Sequence, residues 1–174
     1  RDVQAQEEEL RELISISPRH LGALVDLGEL YLSRDRIYEA EEIYQKSLKF
    51  FPDSLELLFS LSKIYQTQSL IEKMNETLYR ILDIDPDNYQ ATYLLARGYE
   101  DRNHYEKAYQ HYQRAHELSP GDISILFALG NLEFLQNRHQ EAEIYFHQAL
   151  EKDFNHFASL KCLGQIKHFS HDFK

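Results

Sequence analysis

Apolar residues along the chain recur at helical spacing in short blocks separated by polar residues. In residues 21–33, Leu24, Leu27 and Tyr31 stand at positions i, i+3 and i+7. Residues 37–50 show the same period. Side chains three, four and seven apart share one face of an α-helix. The pattern therefore predicts two amphipathic helices joined by a short turn.

This helix pair recurs every 34 residues. The four prolines keep that step, at Pro18, Pro52, Pro86 and Pro120. So does a column of small residues, Gly28, Ser62, Ala96, Gly130 and Gly164, and a column of tyrosines, Tyr31, Tyr65 and Tyr99. A fixed period of this length predicts a repeat protein in which neighbouring helix pairs stack to form a continuous core.

The predicted helix ends carry residues suited to them. The turn inside each pair contains Asp35, Ser69, Asn103 or Asn137. Asp and Asn tolerate the left-handed backbone conformation that ends a helix. The first helices of the later pairs are preceded by short polar residues, namely Asp53 and Ser54, Asp87 and Asn88, and Asp122. These side chains are good N-caps, so both ends of each pair can be placed.

Small residues recur where the two helices of a pair should cross. We interpret Gly28, Ala40, Gly130 and Ala142 as positions that let the two helix backbones approach closely. Glu133 departs from the pattern, because it occupies the tyrosine column. At that point the sequence predicts altered packing or a polar contact.

The columns resemble the tetratricopeptide repeat, a 34-residue helix-turn-helix unit. The first repeat carries the motif residues Leu24, Leu27, Gly28, Tyr31, Ala40, Tyr44 and Pro52. The resemblance implies an all-α fold, a right-handed superhelical solenoid of antiparallel helix pairs. It implies about four full repeats, with a half repeat at each end.

In this register the whole chain, 1–174, is a single array. Its expected segments are 1–17 (second helix of a preceding repeat), 21–54 (repeat 1), 55–88 (repeat 2), 89–122 (repeat 3), 123–156 (repeat 4) and 157–174 (first helix of a following repeat). Solenoids usually end in polar capping helices, and neither end shows one. We expect either a longer natural protein or terminal helices that pair with another copy.

The composition of the chain limits the classes of partner that we expect. The formal net charge of −10 opposes nucleic acid as a ligand, because such binding needs a dense basic surface. No apolar run is long enough for a membrane span, so no membrane insertion is expected. One cysteine allows no internal disulfide. Composition leaves the compartment open, with the cytoplasm favoured.

No pattern typical of catalysis is present. The chain has no glycine-rich phosphate loop and no zinc-protease or serine-hydrolase motif. His104 and His111 are seven residues apart, but no further ligands stand at matching spacing. Cys162 is expected to pack as a small apolar residue. We predict a protein that is not an enzyme and that needs no cofactor or metal.

The resemblance implies that first helices line a concave groove, which solenoids use to hold segments of other proteins. The groove positions are Val25, Phe59, Lys63, Tyr93, Arg97, Phe127, Asn131 and Phe134. Aromatic anchors beside a cation are typical of interaction hot spots. The alternative is that Val25 and the aromatic residues pack against neighbouring repeats and are largely buried.

These residues predict a non-catalytic scaffold that binds a peptide or helix of a partner protein through apolar anchors. One alternative is a self-associating module of a larger assembly, a homo-oligomer formed through the terminal helices. Another is the targeting or regulatory arm of a larger enzyme.

Overall fold

The computed structural model describes the backbone of residues 3–172 and the side chains of residues 4–168. This part of the chain contains ten helices. They are α1 (Val3–Ile16), α2 (Leu21–Ser33), α3 (Ile37–Leu48), α4 (Leu55–Thr67), α5 (Ile71–Ile84), α6 (Tyr89–Glu100), α7 (Tyr105–Leu118), α8 (Ile123–Leu135), α9 (His139–Lys152) and α10 (Phe157–Asp172). The all-α fold predicted from the period is confirmed.

The helices belong to two compact units, unit 1 (Arg1–Pro86) and unit 2 (Asp87–Lys174). In unit 1, α1 packs on α2, and the hairpins α2–α3 and α4–α5 pack through α3 and α4. In unit 2, α6–α7 packs on α8–α9, and α10 closes against α9. Each helix within a unit thus packs mainly on its neighbours in the chain, as in a helical-repeat solenoid.

Each unit buries its own apolar core. Fully buried large side chains of unit 1 include Tyr44, Leu57, Leu58, Ile64, Met74, Leu78 and Ile81. In unit 2 one cluster forms around Ala96, Ala108, Tyr112, Ile125 and Leu129. A second cluster forms around Ala142, Phe146, Leu163 and Ile166. Tyr44, Ala96 and Ala142 belong to columns that the repeat pattern defined.

The turn column adopts the predicted conformation. Asp35, Ser69, Asn103 and Asn137 all have positive φ, between 57° and 60°. This left-handed residue ends the turn between the two helices of every complete pair. Three of the four residues are Asp or Asn, the non-glycine residues that tolerate this region best.

The first helices are capped by side chains at the same 34-residue step. The Asn88 Oδ1 atom accepts the Ala91 N–H at 3.0 Å, and Asp122 Oδ1 accepts the Ser124 N–H at 2.8 Å. Ser54 caps α4 in the same way. The sequence missed the first cap, His20, whose Nδ1 accepts the Ala23 N–H at 3.1 Å. A histidine can cap a helix when its ring nitrogen is an acceptor.

The glycines have a different role from the one that we inferred. A Cβ atom added to Gly28 would lie 2.2 Å from Cε1 of Tyr44, and one added to Gly130 would lie 2.7 Å from Cε1 of Phe146. Both rings are fully buried. Each glycine therefore makes room for an aromatic ring of the second helix, and the interpretation as backbone contact points is wrong at these two positions.

Candidate protein-interaction surfaces

Tyr93 and Arg97 lie one turn apart on α6, in unit 2. The Tyr93 ring is half-buried, with its centroid 5.7 Å from that of Tyr112. Burial raises the pKa of Tyr93. Arg97 is exposed. This face of α6 therefore combines an aromatic side chain held in place with an exposed cation.

Phe127, Asn131 and Phe134 occupy positions i, i+4 and i+7 of α8, so they share one face. All three are half-buried. The Phe127 ring lies 5.9 Å from Phe146 and meets the His156 ring edge-on at 5.4 Å. Anchoring of this kind fixes the aromatic ring and still leaves part of it exposed.

At the end of α8, Phe134 has a neighbour of its own. Its ring centroid lies 5.4 Å from that of His139, the first residue of α9. The ring also packs on the core cluster of Ala142 and Phe146. Both aromatic side chains of this α8 face are thus attached to the core of the α8–α9 hairpin.

In unit 1, the structure separates the predicted groove residues. Val25 is only 5% exposed and belongs to the core, so its assignment to a binding groove is wrong. Phe59 is half-buried, and Lys63, one turn further along α4, is exposed. Val25 lies among the buried residues Ala23, Leu24 and Leu27 of α2, a helix that is apolar on most sides.

The structure thus brings the predicted residues together as three groups: Phe59 with Lys63 on α4, Tyr93 with Arg97 on α6, and Phe127 with Asn131 and Phe134 on α8. The rings of Tyr93, Phe127 and Phe134 pack on core clusters, and neither these residues nor Phe59 is fully buried.

The sequence pattern did not predict several exposed apolar side chains outside these groups. Tyr38 on α3 is 81% exposed, and Phe154 in the turn before α10 and Phe157 at its first position are each 77% exposed. A signal was present for one of them, because Phe154 stands in the proline column. The other two occupy positions for which the helical period predicts neither core nor groove.

Unit 1 also contains an open cleft of about 350 Å³ between α1, α2 and α3. Its walls carry the cations Arg11 and Lys46 and the acids Glu39 and Glu42, with apolar residues between them. Arg11 donates to the Tyr31 hydroxyl at 3.0 Å, and Lys46 pairs with Glu42. The charges that line the cleft are therefore satisfied within the protein.

Potential metal-ligating side chains do not cluster in the described part of the chain. In residues 4–168, no group of three His, Cys, Asp or Glu side chains could hold a metal ion. Burial raises the pKa of Cys162, so its thiol is protonated at neutral pH and is a poor nucleophile. Within the described chain, every helix is too short or too polar to cross a bilayer.

Comparison with known proteins agrees with this geometry. Two sequence models of the tetratricopeptide repeat match the chain, one at residues 21–54 and the other at residues 99–162. The curated proteins contain no match. Similarity to solved structures, in contrast, extends over most of the chain.

Three of these structures are representative. A crystal structure of MamA superimposes with a TM-score of 0.78 and 22% identity, covering 87% of this chain and 89% of that one. YrrB, described as a tetratricopeptide repeat protein with an unusual peptide-binding site, gives a TM-score of 0.77 and 13% identity, covering 94% and 84%. A tetratricopeptide repeat protein from Parabacteroides merdae gives 0.81 and 17%, covering 98% and 68%.

The 34-residue register, the left-handed turn column and the cap column occur together in the described helices. The two sequence matches fall within that same register. The chain therefore belongs to the tetratricopeptide repeat family of protein-interaction scaffolds.

Proposed function

We propose that the chain binds a peptide segment or helix of a partner protein on the first helices of its repeats, with unit 2 supplying the main surface. The observation that carries the proposal is the α8 face of Phe127, Asn131 and Phe134, where two half-buried aromatic rings flank a polar side chain. Aromatic rings held by core contacts lose little conformational entropy when a ligand covers them.

The apolar part of binding comes from Tyr93, Phe127 and Phe134. Each has a ring attached to the protein core and an exposed part that a ligand side chain can cover. A ligand that offers leucine, methionine or aromatic anchors removes this apolar surface from water. Hot spots of binding concentrate on side chains of this kind.

The polar residues beside the rings set the preferred ligand. Arg97 is exposed one turn from Tyr93, and its guanidinium suits a carboxylate. Asn131 lies between the two phenylalanines and can both donate to and accept from peptide backbone. We infer an apolar ligand that carries an acidic residue, despite the net negative charge of the chain.

Unit 1 carries a smaller group of the same kind, with one aromatic residue beside one cation. Phe59 is half-buried on α4, and Lys63 is exposed one turn away. We assign these two residues a secondary contact with the same class of ligand. The YrrB structure supports the general idea, since that protein is a tetratricopeptide repeat protein with a peptide-binding site.

Peptide selection tests the proposal even while the partner is unidentified. A random phage-displayed peptide library is selected on the full chain, and the affinity of the recovered peptide is measured by calorimetry. We expect apolar anchors with an acidic residue, and about tenfold weaker binding to the Arg97→Glu variant. Lys107→Glu reverses another exposed cation, on α7, and is the matched control.

Replacement of Phe127 with Leu tests the aromatic contact while it retains most of the core packing. The control is Ile144→Ala, which removes an exposed apolar side chain from α9. Equal losses in Phe127→Leu and Ile144→Ala, or unchanged binding to Arg97→Glu, would contradict the assignment of the ligand to α6 and α8.

A further inference from the structure

One face of α10 is left uncovered by the described chain. Leu160 is 47% exposed, whereas the residues of its column in the four complete repeats are buried. Those residues are Leu24, Leu58, Thr92 and Leu126. A Cβ atom added to Gly164 would have nothing within 4 Å, although the equivalent Gly28 and Gly130 each face an aromatic ring. This face of α10 is therefore the one on which a second helix packs in a complete repeat.

Helix α1 occupies the position of a second helix, because it packs on α2 in the way that second helices pack on the next repeat. Leu13 of α1 is 38% exposed, but the residues of its column in the complete repeats, Ser47, Ile81, Ala115 and Ala149, are buried. Leu10 is only half-buried, and it stands in the column of Tyr44, Leu78, Tyr112 and Phe146. The uncovered face of α1 is thus the one with which a second helix contacts its own first helix.

The repeat register predicts which residues would meet if α1 packed on α10. In complete repeats, the column of Leu10 lies over the column of Gly164, as Tyr44 lies over Gly28. The column of Glu9 meets the column of Lys167, as the ring of His111 stacks on that of Tyr99 at 5.3 Å. An apolar side chain would therefore fill an open position, and an acid would lie beside a cation.

The charges of the two helices are complementary beyond that pair. Residues 157–168 contain Lys161 and Lys167, both exposed, and no acid. The exposed residues of α1 include Glu8, Glu9 and Glu12. Two copies of the segment 157–168 would carry like charges, whereas this segment and α1 carry opposite charges and attract.

We propose that α1 of one copy packs onto α10 of a second copy as the second helix of a hairpin, with Leu10 over Gly164 and Glu9 beside Lys167. The contact is head-to-tail, so each copy retains an unused α1 or α10 and association continues beyond a dimer unless a ring closes. This self-association is independent of peptide binding to α6 and α8.

Sedimentation velocity of the full chain tests the proposal. We expect a mean mass that rises with concentration beyond that of a dimer or to that of a closed ring. Glu9→Lys alone and Lys167→Glu alone should each weaken association about tenfold, because they place like charges together. An equimolar mixture of the two variants should associate again, since each offers the charge that the other lacks. Glu151→Lys, an exposed charge reversal on α9, should behave as the unchanged chain.

Two further substitutions test the apolar contact. Gly164→Phe fills the position proposed for Leu10 and should abolish association, while circular dichroism shows an intact fold. Gln6→Ala should strengthen association about threefold, because its column is otherwise Ala40, Met74, Ala108 and Ala142, all buried.

A strict monomer at millimolar concentration would overturn the proposal. So would a dimer that depends on Lys167 and Gly164 but not on Glu9, which would indicate contact between two α10 helices. Failure of the two charge variants to associate when mixed would also contradict it. None of these results would affect the peptide-binding proposal.

Discussion

The Nε atom of Arg138 lies 2.5 Å from Oε2 of Glu133, and this ion pair holds a carboxylate that is only 3% exposed. Glu133 occupies the column in which Tyr31 stands in the first repeat, and Arg138 occupies the column of Arg36. In the first repeat, the Arg36 guanidinium lies 4.3 Å from the centre of the Tyr31 ring. A cation–π contact in one repeat is therefore replaced by an ion pair in another.

Glu133 is stabilised by more than Arg138. Burial, together with interactions with Glu133 and Tyr145, raises the pKa of Tyr109. The sequence-based expectation of a polar contact at Glu133 is thus confirmed. A buried carboxylate needs such partners, because removing a charge from water without compensation is costly.

Loss of the guanidinium should destabilise unit 2. We expect Arg138→Met to lower the free energy of unfolding by about 1–2 kcal/mol, less than for a fully buried pair because Arg138 itself is about half exposed. The double variant Glu133→Gln with Arg138→Met should recover part of the loss, since no charge is then left buried. Urea denaturation at neutral pH measures both. Equal stabilities of the single variant and the unchanged chain would show that the pair contributes nothing.

The glycines offer a comparison in which the same substitution has opposite effects. Gly130→Ala should lower the free energy of unfolding, because the overpacking against Phe146 costs about 1–3 kcal/mol and exceeds the gain of about 1 kcal/mol in helix propensity. Gly164→Ala meets no atom within 4 Å and should be neutral or stabilising. Thermal denaturation of both variants at low concentration checks this. Similar effects at the two positions would mean that Phe146 does not constrain Gly130.

The left-handed turn residues predict a stabilising substitution. Ser69 has φ of 57°, a conformation that Asn and Gly adopt more readily than Ser. Ser69→Gly should raise the free energy of unfolding by about 1 kcal/mol, and Ser69→Val should lower it by more than that. Asn103→Ser is the control. It places serine in the same left-handed conformation and should be destabilising. Chemical denaturation curves of the three variants decide the point; a stabilising Ser69→Val would contradict the assigned backbone geometry.

His111 should make stability depend on pH. Burial, and to a lesser degree the positive charge of Lys107, lowers the pKa of His111 in the folded chain. Below the unfolded value of about 6.5, the unfolded chain therefore binds more protons, and stability falls as the pH falls. His111→Phe retains a ring that can stack on Tyr99 and removes the titration. Between pH 7.5 and pH 5, the melting temperature of the unchanged chain should fall more than that of this variant. Parallel plots of melting temperature against pH would contradict the lowered pKa of His111.

The sequence predicted the fold well because most of its signals are local. The positive φ of Asn103 and the cap formed by Asn88 each follow from the identity of one residue and its place beside a helix. The role of Gly28 was misread because it depends on Tyr44, a side chain 16 residues away whose rotamer the sequence does not specify. Packing of this kind is a property of the assembled hairpin.

The candidate site was less predictable for the same reason. Helical spacing placed Phe127 and Asn131 on one face, and the structure agrees. It did not distinguish Val25, which is buried, from Phe59, which is half-buried in the equivalent column. Helical spacing does not specify how far neighbouring helices cover each side chain, because that coverage depends on tertiary contacts.

The proposal that α6 and α8 bind a partner can be tested most directly by mapping a bound peptide on the whole chain by NMR. With the selected peptide at saturation, we expect the largest amide shifts at Tyr93, Arg97, Phe127, Asn131 and Phe134, together with a shift of the Asn131 side-chain amide. The outer faces of α7 and α9 should change little. Shifts concentrated on α7 and α9, with those five residues unaffected, would show that the peptide does not bind to α6 and α8.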